Sequence, residues 1–125
     1  MAYFRCMVGS GGSGGGNLTD QNYDGDTMLI ANQYIDVNGT ISSYNGWSLT
    51  DYIDVGNNST IYAFSTMANG QINRQYTACY DENKTALRTA VTVLGGLVTL
   101  PTGTKYIRIS ESTTFMSGLK VIMEA

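Results

Sequence analysis

The chain has 125 residues, with seven Lys and Arg against ten Asp and Glu, a net charge of −3, and no histidine. Its cations are scattered singly, so no basic stripe follows a phosphate backbone and nucleic acid is not an expected partner. No run approaches the roughly 18 apolar residues of a membrane-spanning helix. Without histidine the Ser/His/Asp route to hydrolysis and the commonest metal ligand are both missing, and no pair of carboxylates is singled out for glycosidase chemistry. The chain is therefore expected not to be an enzyme.

The first element is a short apolar stretch, Ala2 to Val8, followed by a segment with Gly at six of the eight positions from Gly9 to Gly16. Glycine and serine at this density bury little and lose much entropy on ordering, so residues 1–16 read as an anchoring arm on a flexible tether. Tyr3, Phe4, Met7 and Val8 give the arm the apolar character to add as a strand to another chain. A terminus that grips nothing is the alternative. Met1 to Val8 lacks the charged start, long apolar middle and cleavage site of a signal peptide, so synthesis in a cytoplasm is expected.

Residues 17–125 have the size of one domain. Asp20, Asp24 and Asp26 crowd its start, either as a plain acidic loop or as oxygen donors for a structural calcium, the one cofactor considered. Beyond them, period-two alternation and frequent turn residues predict strands at Met28 to Asp36, Ser48 to Val55, Ser59 to Met67, Gln71 to Tyr80, Leu97 to Leu100, Lys105 to Ser110 and Leu119 to Glu124. Asn38-Gly39, Asn45-Gly46, Asn69-Gly70 and Gly95-Gly96 are read as turns between strands, and Ala86 to Leu94 as an extended connection. Ile107 and Ile109 oppose Tyr106, Arg108 and Ser110, while Leu119, Val121 and Met123 share a face. Strands apolar on both sides, such as Ile61-Tyr62-Ala63-Phe64, suggest a sheet covered a second time by a partner or neighbouring subunit. The fold class expected is an all-β, two-sheet antiparallel sandwich with an extended N-terminal arm.

The runs Trp47 to Val55, Thr60-Ile61-Tyr62, Cys79 to Lys84, Leu100-Pro101 and Lys105 to Ser110 together resemble the jelly-roll, carbohydrate-binding-like domains of bacteriophage tail, baseplate and fibre proteins. The resemblance covers roughly Met28 to Glu124. It implies a non-catalytic structural or adhesive module located in a virion, homo-oligomeric, with other virion proteins and a host-surface carbohydrate as partners. A free-standing glycan-binding module of a bacterial cell surface, and a capsid decoration or assembly protein with no receptor, are the alternatives.

Nine Tyr and one Trp are more than the core of a small β domain takes with every polar group paired, so some should line a binding surface. Tyr44 and Trp47 flank Asn45-Gly46, and Tyr76 is placed to face outward; these three are the candidate glycan contacts. For Trp47 the leading reading is a plug at one end of the sandwich, and the exposed platform is the alternative. Asp51 is expected to accept backbone N–H bonds, and Asp81 to Lys84 to form a hairpin end with Lys84 in solvent. Cys6 and Cys79 read as ordinary thiols, with a bridge between them the other reading.

Overall fold

A computed structural model of the chain describes residues 18–23, 29–66, 70–116 and 118–124, the first of these stretches by its backbone alone. The arm and tether, with Tyr3, Phe4, Cys6, Met7 and Val8, lie outside the described residues, as do Asp24 and Asp26.

Among the described residues there are ten strands: β1 (Leu18–Tyr23), β2 (Leu29–Ile35), β3 (Ile41–Thr50), β4 (Ile53–Asp54), β5 (Thr60–Phe64), β6 (Thr77–Tyr80), β7 (Thr92–Leu94), β8 (Leu97–Thr99), β9 (Tyr106–Ser112) and β10 (Leu119–Glu124). A 3-10 turn at Arg74–Tyr76 precedes β6, and a four-residue helix, Thr113–Met116, follows β9. One sheet runs β1-β10-β5-β8-β7; the other runs β2-β3-β9-β4, with β6 also paired to β9. Every pairing is antiparallel, and the chain forms the expected all-β, two-sheet sandwich.

Alternation builds the core. Ile107 and Ile109 of β9 meet Ile61 and Ala63 of β5, Val98 of β8, and Leu119 and Val121 of β10, all buried between the sheets. Truncating one of these, such as Ile107 to alanine, typically costs about 2–5 kcal/mol through lost burial and the cavity left behind. Cys79 belongs to the same core, and burial pushes its thiol up to about 11.

The strand β9 is buried on both faces, and its second cover comes from the chain itself. Leu49, Ala78, Arg108 and Ser110 project from the face opposite Ile107 and Ile109, as their cross-strand pairing requires. The outer half of the β2–β3 hairpin lies across that face: the Ile35 N–H donates to the Ser110 hydroxyl at 3.0 Å, and Ile35 is buried in a second cluster with Leu49, Ala78 and Tyr80.

Where the strands differ from expectation, side chains have replaced regular ladder contacts. Between Leu49↔Ser110 and Ile53↔Ile107 the β3–β4 side carries one residue more than β9, so the predicted strand Ser48 to Val55 breaks at Asp51-Tyr52. The Thr50 hydroxyl fills the gap by accepting the Ile109 N–H at 2.9 Å, the Thr50 carbonyl accepts Arg108 Nε at 3.0 Å, and Asp51 accepts the Tyr52 N–H at 2.8 Å. The predicted strand Gln71 to Tyr80 shrinks to β6 because Asn73 caps the 3-10 turn, accepting the Gln75 N–H at 3.0 Å. The connection Ala86 to Leu94 ends as β7.

Candidate functional site: an aromatic cradle

The β2–β3 hairpin is set by the turn Asp36–Thr40, which pairs Ile35 with Ile41 and Tyr34 with Ser42. Past Gln33↔Ser43 the ladder is interrupted and resumes at Ala31↔Ser48, so Asn32 alone faces the four residues Tyr44, Asn45, Gly46 and Trp47. Asn45-Gly46 is thus a bulge inside β3, correcting its reading as a turn between strands. Both sides of the interruption use left-handed backbone, with φ +62° at Asn32 and +88° at Gly46, and the Asn32 side chain accepts the Gly46 N–H at 3.3 Å. Bulges re-aim side chains. In a regular strand residues 44 and 47 would point to opposite faces; here both rings meet Tyr34.

The result is a cluster of four rings. Trp47 lies 4.8 Å from Tyr76 and 5.8 Å from Tyr34, and Tyr34 lies 5.6 Å from Tyr76 and 6.1 Å from Tyr44, all edge to face. In each edge-to-face contact the positive edge of one ring meets the negative face of the other, which holds the four rings together at fixed angles around an opening. The four residues line an open cavity of about 280 Å³, at the small end of ligand-binding pockets. Tyr44 is 56% exposed at its rim, and Tyr34, Trp47 and Tyr76 are half-buried. Tyr44, Trp47 and Tyr76, chosen from sequence, are therefore brought together, and Trp47 stands at the surface of the sheet rather than plugging the sandwich. Tyr34 was missed. Counting back from Asn38-Gly39 as a two-residue hairpin loop places it opposite Ser43, one residue off its observed partner Ser42 and next to Tyr44, and that is the signal that would have found it.

The Ser110 hydroxyl holds the floor of the cradle together. It accepts the Ile35 N–H and donates to the Tyr76 carbonyl at 2.9 Å, tying the strand that carries Tyr34 to the turn that carries Tyr76. Behind it, on the inner face of the same strand, Glu111 is 1% exposed and neither carboxylate oxygen has a hydrogen bond of good geometry. Burial pushes its carboxyl up to about 7, with the Ser65 hydroxyl and the Asn73 backbone pulling weakly the other way. Asn73 also accepts the Tyr76 N–H at 3.1 Å, so the buried acid abuts the cap of the turn that presents Tyr76.

A larger polar cleft of about 600 Å³ lies among the loops at one end of the sandwich, between residues 56–59, 81–83 and 100–105. Four of its polar side chains, Asn58, Asp81, Thr104 and Lys105, are committed to the fold. The Asn58 amide donates to Val55 and Glu124 carbonyls, Asp81 accepts the N–H groups of Asn83 and Thr85, and Lys105 pairs with Asp54 at 3.1 Å. The aromatic cradle, lined by four aromatic side chains and no charged one, is the better candidate.

Of the calcium candidates, Asp20 lies in β1 opposite Ile122 and the other two fall outside the described residues. Among the described residues no cluster of three or more Cys, Asp or Glu is disposed to hold a metal ion. Compared with protein-family models, curated proteins and solved structures, the chain gives no significant match.

Proposed function

We propose that the chain is a non-catalytic carbohydrate-binding module that stacks one sugar ring in the cradle of Tyr34, Tyr44, Trp47 and Tyr76. The observation that carries this reading is four aromatic side chains converging on one open cavity with no charged side chain in its lining. The polarised C–H face of a pyranose suits the negative face of an aromatic ring, while the tyrosine hydroxyls and the indole N–H offer hydrogen bonds to sugar hydroxyls at the rim.

The module is proposed to act as a structural component of a bacteriophage virion, fastened to partner subunits by Ala2 to Val8. Support comes from the sequence resemblance over Met28 to Glu124 and from the composition of residues 1–16. A Gly/Ser tether of this length spans about 15 Å, enough to reach an adjoining subunit, and many copies on one particle would turn a weak sugar contact into useful avidity.

The test is a glycan array followed by titration of the best ligand into the wild type and Trp47→Ala, with circular dichroism to verify the fold. Saturable binding that falls at least tenfold in a folded Trp47→Ala supports the reading. Equal binding by both proteins, or none by the wild type, overturns it.

A further inference from the structure

We propose that Lys84, together with Arg108 against the same Tyr52 ring, forms a second binding site on this sheet that takes an oxyanion, a carboxylate or sulfate carried on a ligand. The argument begins with two turns that are copies of each other. In Asp36–Thr40 and in Asp81–Thr85 the aspartate side chain accepts the N–H groups two and four residues on, at 2.9 and 3.1 Å in the first and 2.8 and 2.9 Å in the second. The backbone bonds also match, Gly39 N–H to the Asp36 carbonyl and Lys84 N–H to the Asp81 carbonyl. The fourth position is left-handed in both, φ +81° at Gly39 and +62° at Lys84. A lysine there carries backbone strain that glycine avoids. The first turn shows that glycine suffices to make this loop, so the Lys84 side chain has a use beyond the turn.

That side chain reaches over aromatic rings. Lys84 Nζ stands 4.8 Å from the centre of Tyr52 and 5.3 Å from that of Tyr106, and Arg108 Cζ lies 4.7 Å from the centre of Tyr52. Tyr80 closes the group at 4.9 Å from Tyr52. Arg108 is only 6% exposed and donates its Nε to the Thr50 carbonyl, so the Tyr52 ring is shared by a buried guanidinium and an exposed ammonium. Among the described residues neither has a carboxylate within 4.0 Å; Asp54 is taken by Lys105, while Asp81 and Asp51 serve backbone N–H groups.

Neither cation has an acidic partner among the described residues, although the net charge of the chain is −3. A bound oxyanion supplies that partner through a charge-assisted bond to Lys84 above the Tyr52 and Tyr106 rings. The site is separate from the cradle: Tyr76 lies in the turn just before β6 and Tyr80 at the strand's far end, with about 10 Å of strand between them.

The test uses the full chain at low ionic strength, with inorganic sulfate, glucuronate and uncharged glucose titrated separately and followed by backbone amide NMR. Sulfate or glucuronate should shift the amides of Tyr52, Lys84 and Tyr106 saturably while glucose does not, the effective anion showing which group the ligand carries. Lys84→Gly should fold as well as the wild type, because Gly39 makes the same turn, yet bind at least tenfold more weakly; Lys84→Arg should retain binding. Trp47→Ala should leave anion binding unchanged, which separates this site from the cradle. Saturation by neither anion, or undiminished affinity in Lys84→Gly, overturns the proposal.

Discussion

Ser110 and Ile35, 75 positions apart in the chain, are joined by a hydrogen bond from the Ile35 N–H to the Ser110 hydroxyl at 3.0 Å. The same hydroxyl donates to the Tyr76 carbonyl, so one side-chain atom fixes two of the elements that frame the cradle. Replacing Ser110 by alanine leaves a buried N–H and a carbonyl without their partner. The expected loss is about 1–3 kcal/mol in urea unfolding. Weaker near-ultraviolet circular dichroism should accompany it, since Tyr34 and Tyr76 are no longer held at a fixed separation; an unchanged spectrum would show that the hydroxyl does not position the rings.

The carboxyl of Glu111 gives the fold a pH dependence of definite sign. Its native value of about 7 lies above the ordinary 4.5, so the unfolded chain releases this proton at lower pH than the native chain does. The contribution of the protonated acid is complete below about pH 4.5 and is lost as pH rises toward 7, by on the order of 1 kcal/mol per pH unit. Melting temperatures should therefore fall between pH 5 and pH 8. Glu111→Gln, neutral at every pH, should flatten that profile and melt higher than the wild type at pH 8.

Two glycines of the β2–β3 hairpin should respond differently to alanine. Both have positive φ, so each substitution carries backbone strain of about 1–2 kcal/mol. At Gly46 the new methyl meets nothing within 4 Å, whereas at Gly39 it falls 2.9 Å from the Ala86 side chain. Gly39→Ala should be the more destabilising in chemical denaturation. Gly46→Ala should act chiefly on the cradle, seen as a shift in Trp47 fluorescence, because the bulge that aims Tyr44 and Trp47 depends on that backbone conformation.

The architecture was legible in the sequence because it rests on alternation. Ile107 and Ile109 against Tyr106, Arg108 and Ser110, and Leu119, Val121 and Met123 on one face, are where the pattern places them. What alternation cannot register is a change of phase. The bulge at Asn45-Gly46 carries the composition of a turn, and from sequence the strand begins only at Ser48 although β3 starts at Ile41. The slip at Thr50 leaves no compositional mark, since a threonine hydroxyl there substitutes for a ladder group. Tyr44, Trp47 and Tyr76 could be chosen as outward aromatics, but their convergence on Tyr34 follows from the phase change. Lys84 read as a solvated turn residue because exposure was legible and the rings beneath it, from strands distant in sequence, were not.

The strand β9 pairs with β3 and β4 along one side and β6 along the other, and neighbours cover both its faces. Its amides should therefore be the slowest in the molecule to exchange with deuterium, opening only when the whole domain does. Ser110, which ties the cradle, and Arg108, which backs Lys84, both stand on this one strand. Fraying at the outer strands can run far before it reaches either, and a molecule nicked or partly melted at its margins keeps the footing on which its recognition surface rests.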